Sequence, residues 1–114
     1  MQRGLPAQAL LGRPVVFRDI RLGTVADLIF DAAVTRVLGL DVLCGDRRSR
    51  FLPLPACDVG TEAIRVESAL VLVAEPLDFY RARGRVLTSL AHRPMPVLDA
   101  DGSVLTGDSL RAAV

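Results

Sequence analysis

Two cysteines and a single histidine are the residues of this chain best suited to covalent catalysis. Cys44 or Cys57 paired with His92 would make a nucleophilic dyad, in which the imidazole accepts the thiol proton. Nothing in the sequence supplies the oxyanion donors or the orienting group that such a site needs. We therefore expect His92 to be a surface or linker residue and the protein to have no catalytic activity.

The same two cysteines are too few for a disulfide scaffold or for a zinc site of their own. We expect them to be reduced in the cytoplasm and to pack as small apolar side chains. The chain contains no lysine, which excludes Schiff-base chemistry and the lysine of a P-loop. Neither a glycine-rich phosphate loop nor an HExxH motif is present, and we expect no cofactor.

The acidic segment near the C-terminal end resembles a calcium loop in spacing. Asp99, Asp101 and Asp108 could supply oxygen ligands, but the closing glutamate of an EF-hand loop is missing. The Asp101-Gly102 pair is better explained as the turn of a β-hairpin. Residues 96–102 also resemble the end of a nucleotide-binding CBS motif, yet too little chain follows to build that domain. The sequence therefore predicts a hairpin here and no metal site.

Fourteen arginines and thirteen acidic residues give a net charge of +1, which argues against a general polyanion-binding protein. The basic residues are concentrated at two places, Arg47, Arg48 and Arg50 in one and Arg81, Arg83 and Arg85 in the other. Such arginines could contact RNA phosphates or an acidic protein surface. Because no aromatic residues for base stacking are interleaved with them, we expect solvated loops, with RNA binding as the alternative.

Apolar residues make up 51% of the chain but aromatic residues only 4%, so the core must be built from aliphatic side chains. The longest apolar run covers residues 69–74, far short of the roughly 20 residues that span a bilayer. The first residues lack the apolar stretch of a secretory signal. We expect a cytoplasmic protein, with peripheral membrane contact left open.

The elements that must position these residues are short strands separated by glycine, proline and aspartate. Val15 and Phe17 alternate with polar or turn residues, and residues 18–23 are predicted to be a tight connection. Period-two alternation predicts strands over 24–30 and 38–44, with a turn at 31–35 and a hairpin loop at 45–50. The pattern continues with a further extended run at 51–54, a helical turn or loop at 57–62 and a last strand over 63–73. Short strands of this kind are typical of a small barrel or sandwich.

Residues 9–14 (ALLGRP) and 89–94 (SLAHRP) form an internal echo at an offset of 80 residues. Each copy is followed by an extended run, an aspartate and a glycine turn, but the second is too short to supply every strand of the first. Partial duplication and chance are both open explanations. We assign a barrel domain to 9–74, a linker or short helix to 75–88 and a hairpin extension to 89–114.

Several segments in order resemble a PRC-barrel domain, the small β-barrel of the photosynthetic reaction centre H subunit and of the C-terminal part of the ribosome maturation factor. They are Leu11-Gly12-Arg13-Pro14-Val15, Gly23-Thr24-Val25-Ala26-Asp27-Leu28, Val37-Leu38-Gly39-Leu40-Asp41-Val42, Phe51-Leu52-Pro53-Leu54 and Ile64-Arg65-Val66. The resemblance covers residues 9 to 73 and implies a mainly β fold, a six-stranded antiparallel barrel. It also implies a docking or assembly role without a shared active site.

Four glycines are predicted to be structural. We expect Gly12, Gly23 and Gly102 at turns, where a residue without Cβ can take a positive φ without steric cost, and Gly39 at a bulge or tight bend of the barrel.

The apolar content exceeds what a small barrel can enclose, which leaves aliphatic side chains for an interaction surface. Its candidate residues are Leu70, Val71, Leu72, Val73, Val97 and Leu98. Our leading hypothesis is a non-enzymatic adaptor, homodimeric through unpaired sheet edges, that docks onto another, unidentified protein. The alternative function is a ribosome- or RNA-associated module that uses Arg47, Arg48 and Arg50. The alternative to the dimer is a monomer in which the tail folds back onto its own barrel.

Overall fold

A computed structural model describes residues 4–72, 84–87, 96–99 and 101–105 of the 114-residue chain. In these ranges the chain forms short β-strands and 3-10 helices, and no α-helix. The strands are β1 (Leu5–Pro6), β2 (Pro14–Phe17), β3 (Ile20–Phe30), β4 (Val37–Cys44), β5 (Ser49–Pro53), β6 (Cys57–Val59), β7 (Ile64–Val66), β8 (Arg85–Val86) and β9 (Val97–Leu98). The 3-10 helices are Ala7–Leu10, Leu54–Ala56 and Ala69–Val71.

Six strands form one curled sheet in the order β5-β4-β3-β2-β7-β6. A seventh strand, β8, pairs with Ile29 and Phe30 at the C-terminal end of β3. The mainly β barrel fold predicted from the sequence is confirmed. Its curl follows from the connection between the two strands at the ends of this path. Pro53 ends β5 and Cys57 begins β6, so these residues are at most about 14 Å apart along the chain. A flat sheet would separate its outer strands by about 24 Å, so the sheet must bend round on itself.

One strand pair departs from the expected antiparallel arrangement, since β2 and β7 run parallel. The 3-10 helix at Leu54–Ala56 does not reverse the chain, so β6 continues in the direction of β5. A tight turn, in which the Gly60 amide donates to the Ala63 carbonyl at 2.9 Å, then reverses the chain into β7. After that single reversal β7 has the direction of β2, which it joins through the pairs Val15↔Ile64 and Phe17↔Val66.

Two sequence predictions around these strands are wrong. Residues 57–59 form a strand rather than a helical turn or loop, because Cys57 and Val59 alternate with the exposed Asp58. The last strand does not run over 63–73 but ends at Val66. The Ser68 hydroxyl accepts a hydrogen bond from the Leu70 amide at 3.1 Å, and this local bond starts a 3-10 helix instead of continuing the ladder.

The core is aliphatic, as the composition predicts, with Phe30 as its large aromatic member. Alternate residues of the curled sheet point inward and are fully buried, among them Val15, Leu28, Leu40, Leu52 and Ile64. On the outer face a smaller cluster joins Ile29 and Phe51 with Leu38 and Val86.

Residues 96–99 and 101–105 pack on their own barrel. β9 pairs with β1, and the Leu98 side chain is completely buried in the core. The turn predicted at Asp101-Gly102 is confirmed, since the Gly102 amide donates to the Asp99 carbonyl at 3.0 Å and Gly102 has a φ of +87°. The Gly102 carbonyl in turn accepts from the Val37 amide at 2.8 Å. These residues therefore cover one end of the barrel in cis.

The four glycines predicted to be structural divide into two kinds. Gly12 and Gly102 have positive φ and lie at turns, as predicted. The turn prediction for Gly23 is wrong, because it lies inside β3 opposite Cys44, and the chain reverses earlier, at Arg18 and Asp19. A Cβ on Gly23 would lie 2.5 Å from the Leu43 carbonyl oxygen, so the close approach of β4 accounts for the glycine. Gly39 lies beside a shift in the β3–β4 register, which confirms the predicted bulge.

Candidate interaction surface

Three segments converge at one end of the sheet, which we call the hairpin end (residues 17–24, 43–50 and 67–72). The β2–β3 and β4–β5 turns lie there together, because Gly23 pairs with Cys44 and the Gly45 amide donates to the Leu22 carbonyl. Because β7 runs parallel to β2, the residues after Val66 also leave the sheet at this end. The 3-10 helix that contains Leu70 is thereby brought close to both hairpins.

The hairpin end exposes aliphatic side chains. Of the described residues, the large apolar side chains exposed to solvent are Ile20 (58%), Leu43 (46%) and Leu70 (88%), and all three belong to this end. Leu43 is exposed because it points outward from β4, between the inward-facing Val42 and Cys44. Single exposed leucines are ordinary, whereas three from separate segments at one end are typical of a surface that a partner covers.

A groove lies at the hairpin end, and of the three exposed side chains Leu43 is the one in its walls. Its two parts have volumes of about 200 and 270 Å³ and share Leu22 and Cys44 in their walls. Arg50 and Leu72 complete the smaller part, and Leu43 lines the larger. Recesses of this size can accept one or two side chains of a partner.

Of the arginines predicted to form a basic spot, Arg47 and Arg48 lie at the tip of the β4–β5 hairpin, whereas Arg50 lies in β5 opposite Val42. The Arg50 guanidinium holds both carboxylate oxygens of Asp46, at 3.0 and 2.7 Å. Arg47 takes a φ of +67° in the turn, and Arg47 and Arg48 are exposed. No hydrogen bond or ion pair to their guanidinium groups is found within the described part of the chain.

Asp46 gives the hairpin tip a specific dependence on pH. The Arg50 guanidinium, with help from the Arg48 amide, lowers the pKa of Asp46 to about 2. The stability that this lowered pKa confers is fully present above the ordinary aspartate pKa of 3.8 and is lost as the pH falls towards 2. We expect thermal melts of Asp46→Asn to show a smaller fall in Tm over this interval than those of the native protein.

Asp19→Asn is the matched control for this prediction. Asp19 is exposed in the neighbouring turn, and the described structure gives its carboxylate no hydrogen bond. The control should follow the native protein over the whole pH interval. An equal fall in Tm for the native protein and Asp46→Asn would contradict the prediction.

The predicted interaction surface is only partly where the sequence placed it. Leu70 is exposed, Val71 and Leu72 are half-buried, and Val73 lies outside the described residues. Val97 is half-buried in β9. The assignment of Leu98 to a surface is wrong, because this side chain faces the core where β9 closes against β1.

Sequence reasoning missed Ile20 and Leu43 as surface residues. The period-two alternation of β4 contains the signal for Leu43, since it places Leu40, Val42 and Cys44 together on the opposite face. Ile20 carries no such signal. The sequence predicts a connection over residues 18–23, whereas Ile20 begins a strand opposite Phe17.

The cysteines are half-buried free thiols, as far as the described residues show. Burial, together with the nearby Asp58 carboxylate, raises the pKa of the Cys57 thiol to about 11. A nucleophilic cysteine needs the opposite shift, towards the thiolate. His92, the candidate partner of a dyad, lies outside the described residues.

The Asp-rich turn is organised by bonds of its own. The Asp101 carboxylate accepts a hydrogen bond from the Ser103 amide at 2.9 Å, and this bond lowers the pKa of Asp101. No group of three or more potential metal ligands occurs in the ranges that the structure describes. Asp108, the third candidate ligand, lies outside them.

The second basic set is described only at its end. Arg85 begins β8 and pairs with Phe30 of β3, at the opposite end of the sheet from the hairpin tip. Arg81 and Arg83 lie outside the described residues, as does the second copy of the internal echo at 89–94. The structure therefore places Arg85 at the opposite end of the sheet from Arg47, Arg48 and Arg50.

Comparison with known families agrees with the curled sheet. The family model for the PRC-barrel domain matches residues 4–72, which is more than half of the chain. The chain belongs to the PRC-barrel family. The matched part of this PRC-barrel contains β1 to β7 and the whole hairpin end, whereas β8 and β9 follow it. No curated protein matches the chain. Within its described residues, no helix is long and apolar enough to cross a membrane.

Proposed function

We propose that this PRC-barrel is a non-enzymatic docking module that binds a partner protein at its hairpin end. The observation that carries the proposal is the exposure of Ile20, Leu43 and Leu70 at one end of the sheet, where Leu43 also lines a groove. Burying a fully exposed aliphatic side chain contributes about 2 kcal/mol, and because Ile20 and Leu43 are already about half buried, the three side chains together would supply about 4 kcal/mol. The exposed arginines of the same end would set the orientation of the partner.

The proposal is tested by comparing what the tagged native protein and its variants retain from extracts of the host. Leu43→Ser and Leu70→Ser remove apolar groups from the surface without opening a cavity in the core, so both variants should fold. We expect each to lose most of the retained partner, and the complex to tolerate high salt because its binding energy comes from apolar burial.

Ala33→Ser is the control, since Ala33 is exposed in the turn at the opposite end of the sheet. It should retain the same partner as the native protein. If Leu43→Ser and Leu70→Ser retained as much partner as the control, the hairpin end would not be the docking surface and the proposal would fail.

A second copy of this chain is a further candidate for the partner. The path of the sheet ends in β5 and β6, each with a single paired neighbour within the described residues, and such strands can pair with another chain. Light scattering after size exclusion distinguishes a monomer from a homodimer. A homodimer would give twice the chain mass of 12.3 kDa, and 12.3 kDa at high concentration would exclude it.

An RNA-associated role is the alternative function, and the exposed guanidinium groups of Arg47 and Arg48 favour it. Arg50 is less suited to it, since Asp46 already occupies its guanidinium. RNA binding would weaken steeply with salt and would be lost when Arg47 and Arg48 are replaced. A docking module that relies on aliphatic burial would keep its partner at high salt.

A further inference from the structure

We propose that the hairpin end recognises an acidic segment of its partner, with aliphatic side chains that enter the groove and carboxylates that bind Arg47, Arg48 and Arg21. This inference rests on the proposed docking function and adds the chemistry of the partner. It depends on how charge is distributed over the described residues. The chain as a whole has a net charge near zero, but this charge is unevenly distributed.

The hairpin end carries a net positive charge, and the rest of the described residues carries a net negative one. The hairpin end contains five arginines and three acidic residues, whereas the rest of the described residues contains four arginines and seven acidic residues. The arginines of the hairpin end are Arg18, Arg21, Arg47, Arg48 and Arg50, and its acidic residues are Asp19, Asp46 and Glu67. A potential of this kind attracts acidic groups to the hairpin end and disfavours basic ones.

The existing contacts decide which arginines can accept a carboxylate. Arg50 is held by Asp46, and Arg18 lies over the Phe17 ring at 5.1 Å from its centroid. Arg21 donates to the Thr24 hydroxyl at 2.6 Å, which is a neutral partner and leaves its charge uncompensated. Arg47 and Arg48 are exposed without an ion pair in the described structure. Three guanidinium groups are therefore available beside the apolar groove.

The larger part of the groove is in contact with one of these arginines and with the start of the turn that carries the other two. Arg21 and Leu43 line this part, and Gly45, at the start of the hairpin tip that carries Arg47 and Arg48, lies on the same wall. A segment that places an aliphatic side chain against Leu22 and Leu43 would thus bring its neighbouring residues within reach of the arginines. Carboxylates at those positions would make the bidentate contacts that guanidinium groups favour.

A protein segment fits this surface better than the other anionic partners. The recesses of about 200 and 270 Å³ are concave and accept side chains, whereas the described residues contain no amphipathic α-helix of the kind that lies in a membrane interface. The described residues of the hairpin end contain one aromatic residue, Phe17, and Arg18 covers it, so stacking of RNA bases has little support.

The experiment selects binders from a displayed library of random peptides with the immobilised full-length protein. We expect the selected peptides to be enriched in Asp and Glu together with Leu, Ile and Val. A selected peptide, labelled with a fluorophore, is then titrated with the native protein and with two charge-matched double variants, Arg47→Gln/Arg48→Gln and Arg36→Gln/Arg65→Gln. The second pair is exposed and lies outside the hairpin end.

Loss of two exposed ion pairs should weaken binding about fivefold in Arg47→Gln/Arg48→Gln, and the control double variant should bind like the native protein. Leu43→Ser should weaken binding about tenfold, as expected for a leucine that loses its burial in the complex.

Three results would overturn the inference. Selection of basic aliphatic peptides that still depend on Leu43 would disprove the acidic partner and leave the docking function intact. Selection of peptides that are insensitive to both sets of hairpin-end variants would disprove the acidic site and this docking surface together. Failure to enrich any peptide, with binding instead to vesicles containing phosphatidylserine or to single-stranded RNA, would replace the acidic segment by a lipid or nucleic-acid phosphate.

Discussion

Leu98→Ala should lower the free energy of unfolding by about 3 kcal/mol, because it removes a completely buried side chain from the barrel core. Leu98 pairs with Leu5 in the β1–β9 ladder and bridges to Val104, so its neighbours are held and can collapse only partly into the cavity. For a domain of this size the loss corresponds to roughly 12 °C in Tm. Thermal melts followed by circular dichroism would measure it.

Leu70→Ala is the matched control, since it deletes the same atoms from a side chain that is 88% exposed. It should change the free energy of unfolding by no more than about 0.5 kcal/mol. Equal, small effects of the two substitutions would mean that β9 and the residues around it do not pack on the barrel.

The folding unit of this PRC-barrel extends beyond the part that the family model matches. The family model ends at residue 72, yet Leu87, Leu98 and Leu105 are buried beyond that point. Their burial indicates that the PRC-barrel core of this protein includes residues from its C-terminal part. The boundary predicted between residues 74 and 75 stays a prediction, because residues 73–83 lie outside the described ranges.

Gly39→Ala should destabilise the protein by about 2 kcal/mol, the typical cost of forcing an extra methyl group into a closely packed place. A Cβ on Gly39 would lie 2.5 Å from the Leu52 carbonyl oxygen and 2.5 Å from Cζ of Phe51. The carbonyl belongs to the backbone of β5, which the pairs Gly39↔Pro53 and Leu40↔Leu52 hold in register. The strand therefore has to shift as a unit. Urea unfolding should show a lower midpoint with an unchanged m value.

Gly45→Ala is the control for this substitution. No heavy atom lies within 4 Å of a Cβ at Gly45, and its φ is outside the positive range. We expect its free energy of unfolding to stay within about 0.5 kcal/mol of the native value. If Gly39→Ala behaved in the same way, the close approach of β5 to β4 at this point would be disproved.

Local sequence signals predict where much of the candidate site lies, but they do not predict which of its arginines are free to bind a partner. The prediction of a hairpin tip is confirmed for Arg47 and Arg48, because a Gly-Asp pair between two alternating runs is a strong turn signal. It is wrong for Arg50, which lies in β5 opposite Val42. Which of these arginines remain available depends on Asp46, which lies four residues before Arg50 and reaches it only through the geometry of the turn. That distinction is set by the three-dimensional path of the turn, which the order of residues alone does not show.

The sequence by itself determined the strands with clear alternation, the aliphatic core, the turn at residues 31–35, the turn at Asp101-Gly102 and the PRC-barrel resemblance. Each of these depends on neighbouring residues and on side chains that alternate at a fixed period. Only the tertiary structure decided three other features. They are the parallel β2–β7 pair, the burial of Leu98 and the exposure of Ile20, Leu43 and Leu70 at the same end of the sheet. They depend on which distant strands become neighbours when the sheet curls, and local periodicity does not carry that information.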